Sequence, residues 1–150
     1  MRNAAVVDSG PLLALFDRDD AHHARVRQTL QRNPGLRLIT TWPVLTETSA
    51  LLASRVSKDT ELEFLDWVAA GGIKVDALDN ADLEAMIGLL RKYRDLPFDF
   101  ADTSVAALAA ACASWRGSVP PQRAARRHHP GTALRLTRPS RPTPAPLPST

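Results

Sequence analysis

Ala4-Ala5-Val6-Val7-Asp8-Ser9-Gly10-Pro11-Leu12-Leu13-Ala14-Leu15-Phe16 is the stretch from which the rest of the chain is read. A short apolar run ends on a carboxylate. A small residue, a glycine and a proline follow, then a second apolar run at helical spacing. This is the pattern of a buried strand over residues 4–8 turning sharply into a helix over 11–16. Asp8 therefore stands at the carboxyl end of a strand, the edge at which open α/β sheets bind ligands. A charge there costs free energy unless a metal or another partner satisfies it.

Downstream, the pattern alternates. Apolar runs at 36–40 and 73–75 read as strands. Helices are expected over 21–31, from Thr41 to about Ser54, from Asp59 or Thr60 through Ala70, from Asp79 or Asn80 to about Tyr93, and from Thr103 to about Ala113. Thr41 suits an N-cap, with Trp42 and Pro43 in the first turn. Leu83, Met86, Ile87 and Leu90 are expected to face inward. Trp42 and Trp67 are expected in the core, with the three tryptophans forming no base-stacking platform. Strands separated by helices imply a parallel sheet between helical layers.

Charge divides the chain. All 16 acidic residues lie within residues 1–110, which carry a net −4, while 111–150 carry seven arginines and no acid. The basic pI thus belongs to the tail and says little about the partner of the folded part. The single cysteine, Cys112, excludes an internal disulfide. No apolar run is long enough to span a bilayer or to form a signal peptide, so the expected location is the cytoplasm.

The carboxylates carry the chemistry. Asp8 ends a strand, Glu47 sits in a largely apolar helix, and Asp99 and Asp102 approach and begin another helix. Taken singly, Asp99 and Asp102 are most often N-caps and Glu47 most often a solvated helix residue. Several such groups converging on one edge would repel one another unless a hard divalent cation, Mg²⁺ or Mn²⁺, neutralised them. That cation commonly serves phosphoryl chemistry. A Walker-type loop, a glycine-rich nucleotide fingerprint and a Cys/His cluster are all absent from the sequence, so any metal falls to the acids.

Three segments carry a resemblance: Val6-Val7-Asp8-Ser9-Gly10-Pro11-Leu12-Leu13, then Thr46-Glu47-Thr48-Ser49-Ala50-Leu51-Leu52, then Leu96-Pro97-Phe98-Asp99-Phe100-Ala101-Asp102-Thr103-Ser104-Val105-Ala106-Ala107. In this order they resemble a PIN domain, most closely the VapC-type toxins of toxin–antitoxin pairs, over residues 3–113. The resemblance implies a three-layer α/β/α sandwich with a parallel sheet and a Mg²⁺- or Mn²⁺-dependent endoribonuclease. It implies Asp8, Glu47 and Asp102 as catalytic residues and metal ligands, with Asp99 beside them in the third motif. Asp8 and Asp102 would hold metal directly, and Glu47 through water or as the base. Ser9 and Arg55 are the candidate substrate contacts. The implied partners are RNA, a cognate VapB-type antitoxin and a second copy of the chain, with no membrane.

The departure from the family lies beyond residue 113. Residues 114–150 are rich in Arg, Pro, Ala, Ser and His without periodicity, and no acid follows Asp102. The expectation is a PIN-like domain over 1–113 and a disordered tail over 114–150. A frameshift near 110–116 would have removed the last strand of the sheet and the fourth acid. The alternative function is then a catalytically impaired remnant that only binds antitoxin. A third reading is nucleic-acid binding by the arginine-rich tail itself.

Overall fold

The computed structural model describes residues 4–113. The expected disordered tail, its frameshift and the missing last strand lie outside the described residues. Three strands, β1 (Ala4–Val6), β2 (Arg37–Thr41) and β3 (Lys74–Asp76), pair in parallel in the order β1-β2-β3. Six helices connect and cover them: α1 (Ser9–Phe16), α2 (His23–Arg32), α3 (Trp42–Arg55), α4 (Lys58–Ala69), α5 (Asn80–Lys92) and α6 (Phe100–Ala113). The register sets Ala4 against Arg37, Val6 against Ile39 and Thr41 against Asp76.

Alternation along β2 separates the layers. Leu38 packs with Leu12, Val44, Leu52 and Phe64 in the main core, which α1, α3 and α4 supply. Thr41, on the other face, bonds to Ser104 of α6. α5 packs on α6. The result is the α/β/α sandwich expected from the strand and helix order.

Local chemistry explains the helix limits. Thr41 caps α3 with Pro43 at the second helical position, as expected. Ser57, rather than Asp59 or Thr60, caps α4 by accepting the Thr60 N–H at 3.0 Å. Asp79 and Asp82 form a reciprocal capping box on α5. Gly71 ends the turn after α4 with φ of 86°, a conformation open to glycine at little cost. Where α3 meets α4, the Ser49 hydroxyl donates to Glu61 Oε1 at 2.5 Å and Lys58 pairs with Oε2. The Lys58 and Ser49 hydrogen bonds hold the Glu61 carboxyl below its ordinary pKa.

Two expectations about burial are corrected. On α5 only Met86 is buried; Leu83 and Ile87 are 41% and 37% exposed. They flank Met86 on the same side of the helix, and the packing of α5 on α6 buries only the central residue of that side. Trp42 is 57% exposed. As the first residue of α3 it overhangs the sheet edge instead of entering the core. Trp67 does pack inward, edge-on to Phe16 at 5.4 Å between ring centroids.

The Trp67 indole lies against Gly72, and a Cβ at that position would come within 2.1 Å of the ring. Gly72→Ala is expected to displace Trp67 and cost about 1–3 kcal/mol, as overpacking does. Urea unfolding followed by tryptophan emission measures it.

Candidate active site

Asp8 follows β1 and caps α1, its Oδ1 accepting the Ser9 N–H at 2.7 Å. The strand pairing runs one residue past β1: the Val7 N–H reaches Ile39 O, and the Thr40 hydroxyl donates to Val7 O, both at 2.8 Å. Asp8 therefore stands beside the end of β2, at the carboxyl edge of the sheet, and is half-buried.

Thr41 closes β2 at the same edge. Its Oγ1 lies 2.6 Å from Ser104 Oγ, and both residues are fully buried. The Ser104 hydroxyl already donates to Ala101 O at 2.7 Å. A hydroxyl has one proton, so Thr41 is the donor of the pair. This bond holds the start of α6 against the start of α3.

Asp99 and Asp102 lie on that held end. Asp99 Oδ1 accepts the Asp102 N–H at 2.9 Å, and Asp102 Oδ2 accepts the Asp99 N–H at 3.0 Å. They form a capping box, which places the helix start at Phe100 instead of Thr103. Glu47 stands on the flank of the buried face of α3, half-buried and with no hydrogen bond or ion pair among the described residues. It is about 9 Å along the helix axis from Thr41.

The structure thus brings three acid-bearing elements to one edge and joins Asp99 to Asp102. It does not gather Asp8, Glu47 and Asp102 into one cluster: among the described residues no group of three or more His, Cys, Asp or Glu could hold a metal ion. The donor type still suits a hard divalent cation, since all four residues offer carboxylate oxygens. Freeing a carboxylate from its backbone N–H costs about 0.5–1.5 kcal/mol net per hydrogen bond, a small sum beside the charge such an ion supplies.

Asp76 was missed by sequence reading. It ends β3 in register with Thr41, and its Oδ1 is buried with no hydrogen-bond partner among the described residues. The signal was present: Lys74-Val75-Asp76 repeats the strand-ending carboxylate of Val6-Val7-Asp8. Ser9 begins α1 next to Asp8 and lends it the backbone N–H. Arg55 is the last residue of α3, about 20 Å along the helix from Trp42. It lines an open groove of about 740 Å³ that also touches β1, β2, α1 and α2 and includes Gly10.

The family model described as PIN domain matches residues 5–113. Over 104 residues, 69% of this chain and 76% of the relative, the sequence is 29% identical to Ribonuclease VapC26 of Mycobacterium tuberculosis. The fold is similar to the crystal structure of Mycobacterium tuberculosis VapC20, described as a sarcin-ricin loop cleaving toxin. The TM-score is 0.65 and the identity 19%, with 72% of this chain and 82% of that chain covered.

Asp99→Ala removes one side of the capping box and is expected to cost about 0.5–2 kcal/mol, whereas Asp99→Ser keeps most of that stability. Thermal unfolding by circular dichroism separates the two variants.

Proposed function

Because the chain belongs to the PIN domain family, we propose that it is a divalent-metal-dependent endoribonuclease, the toxin of a toxin–antitoxin pair. The observation that carries the reading is positional. Asp8, Glu47, Asp99 and Asp102 all fall inside the family-matched segment, on the three elements that meet at the carboxyl edge. The similarity to a relative named as a ribonuclease supports the same chemistry.

Asp8 and Asp102 are the proposed direct metal ligands, Asp99 stands beside Asp102, and Glu47 acts through a water or as the base that orients it. A Mg²⁺ or Mn²⁺ ion bound there supplies charge neutralisation at the phosphodiester and an acidified water. Ser9, next to Asp8, is the proposed contact to the phosphate. Arg55, which lines the groove, is the second proposed substrate contact. The antitoxin is proposed to occupy that groove, whose lining is mostly apolar. No helix among the described residues is long and apolar enough to cross a membrane, and the proposed location is the cytoplasm. The proposed domain boundary is near residue 113, where the family match ends.

A homodimer through α5 is part of the proposal. Leu83, Ile87 and Leu90 form an i, i+4, i+7 stripe with two of its three members exposed. Asp79, Asp82 and Glu84 lie at its acidic end, and Arg91, Lys92 and Arg94 lie at or just past its basic end. Two copies of α5 packed antiparallel across a two-fold axis would bury both stripes and set Glu84 beside Arg91 of the other copy twice. Ile87→Glu is expected to convert a dimer to a monomer, read by sedimentation velocity.

Nuclease activity is tested with an end-labelled RNA and added Mg²⁺ or Mn²⁺. Asp8→Asn keeps a side chain as good at capping α1, so the fold should persist. Its cleavage rate should fall about 100-fold or more, and chelation of the metal should abolish wild-type cleavage. Antitoxin binding without any turnover would instead assign the chain as the impaired binding module.

A further inference from the structure

Most aromatic residues of the described chain pack against one another. Phe16, Phe64 and Trp67 cluster in the core, and Tyr93 meets Phe98 edge-on at 5.7 Å. Trp42 and Phe100 make no ring contact among the described residues and are 57% and 46% exposed. Each is the first residue of its helix, Trp42 of α3 and Phe100 of α6. The Thr41–Ser104 bond ties those two helix starts together. Phe100 lies between Asp99 and Asp102 in sequence, and Trp42 directly follows the buried Thr41 at the end of β2.

Their backbones are fixed while their rings are free. The Thr46 hydroxyl donates to Trp42 O at 3.0 Å and the Thr103 hydroxyl to Phe100 O at 2.8 Å. Large aromatic side chains left in water forgo the favourable burial that folding offers elsewhere in this chain. Here both do so at the lip of the acidic edge. An anionic edge has nothing to attract bare phosphate, but an aromatic face holds any base without regard to charge.

We infer that Trp42 and Phe100 are stacking residues that position unpaired bases of single-stranded RNA beside the carboxylates at the sheet edge. The inference rests on the proposed nuclease reading and adds to it two positioning residues. A base paired and stacked within a duplex offers no face to these rings, so double-stranded RNA is excluded as the preferred ligand.

The test uses the full chain carrying Asp8→Asn and a fluorescein-labelled single-stranded oligoribonucleotide, with the same sequence annealed as a duplex for comparison. Trp42→Ala and Phe100→Ala should each weaken single-strand binding roughly ten- to a hundred-fold and leave duplex binding unchanged. Trp42→Phe and Phe100→Tyr should restore most of it, and Trp42→Leu should not. Affinity within twofold of the parent for both alanine variants overturns the inference, as does full rescue by leucine. A change of oligomeric state at unchanged RNA affinity also overturns it and assigns the rings to a protein contact. Cleavage by the chain without these substitutions keeps the two readings apart. Stacking-dependent binding without cleavage rejects the nuclease and keeps the platform. Cleavage with binding indifferent to Trp42 and Phe100 does the reverse.

Discussion

One buried hydroxyl pair holds the two sides of this domain in register. Thr41 ends β2, caps α3 and donates to Ser104 across 63 residues of sequence. The Val44 N–H points at Thr41, and the Ser104 hydroxyl donates a hydrogen bond to Ala101 O, so each hydroxyl is satisfied without water. Buried polar groups without partners cost about 1–3 kcal/mol each, which is why two such groups tolerate burial only together. Everything at the carboxyl edge depends on this tie. It brings the α6 capping box and the start of α3 to the place where β1 delivers Asp8.

The elements themselves were legible because period and punctuation agreed. Gly71-Gly72 stopped α4, Thr41 with Pro43 started α3, and the apolar runs marked three strands to within a residue or two. What was missed depended on neighbours. At the start of α4 the cap was expected at Asp59 or Thr60, and the backbone instead puts Ser57 there. Asp99 and Asp102 both suit an N-cap, and the start of α6 was read one turn late, at Thr103 instead of Phe100. The stripe on α5 was correctly seen as a stripe. Periodicity gives a helix an apolar side without saying what covers it. Trp42 went astray for a related reason, since hydrophobicity favours burial but the first position of a helix points past its end.

The site was legible in part. Sequence order placed the acids on a strand end, inside one helix and at the start of another, and the fold delivers those elements to one edge. It could not show where the side chains turn. Asp8, Asp99 and Asp102 each have a backbone N–H within reach, and a local hydrogen bond is made before any long-range one. Glu47, a turn and a half into its helix, has no such local donor and remains without a partner among the described residues. Asp76 escaped notice because its strand was ended one residue early.

The parallel sheet has a consequence in time. Among the described residues no neighbouring strands are joined by a hairpin, so each pairing there waits for a helical crossover, and the Thr41–Ser104 tie waits longer still. A chain made from its N-terminus at roughly 5–20 residues per second presents Thr41 roughly 3–13 s before Ser104 exists. During that interval Asp8 has its neighbours on β2, but α6 and its two aspartates are not yet there. The acidic edge is therefore complete only once α6 has been made.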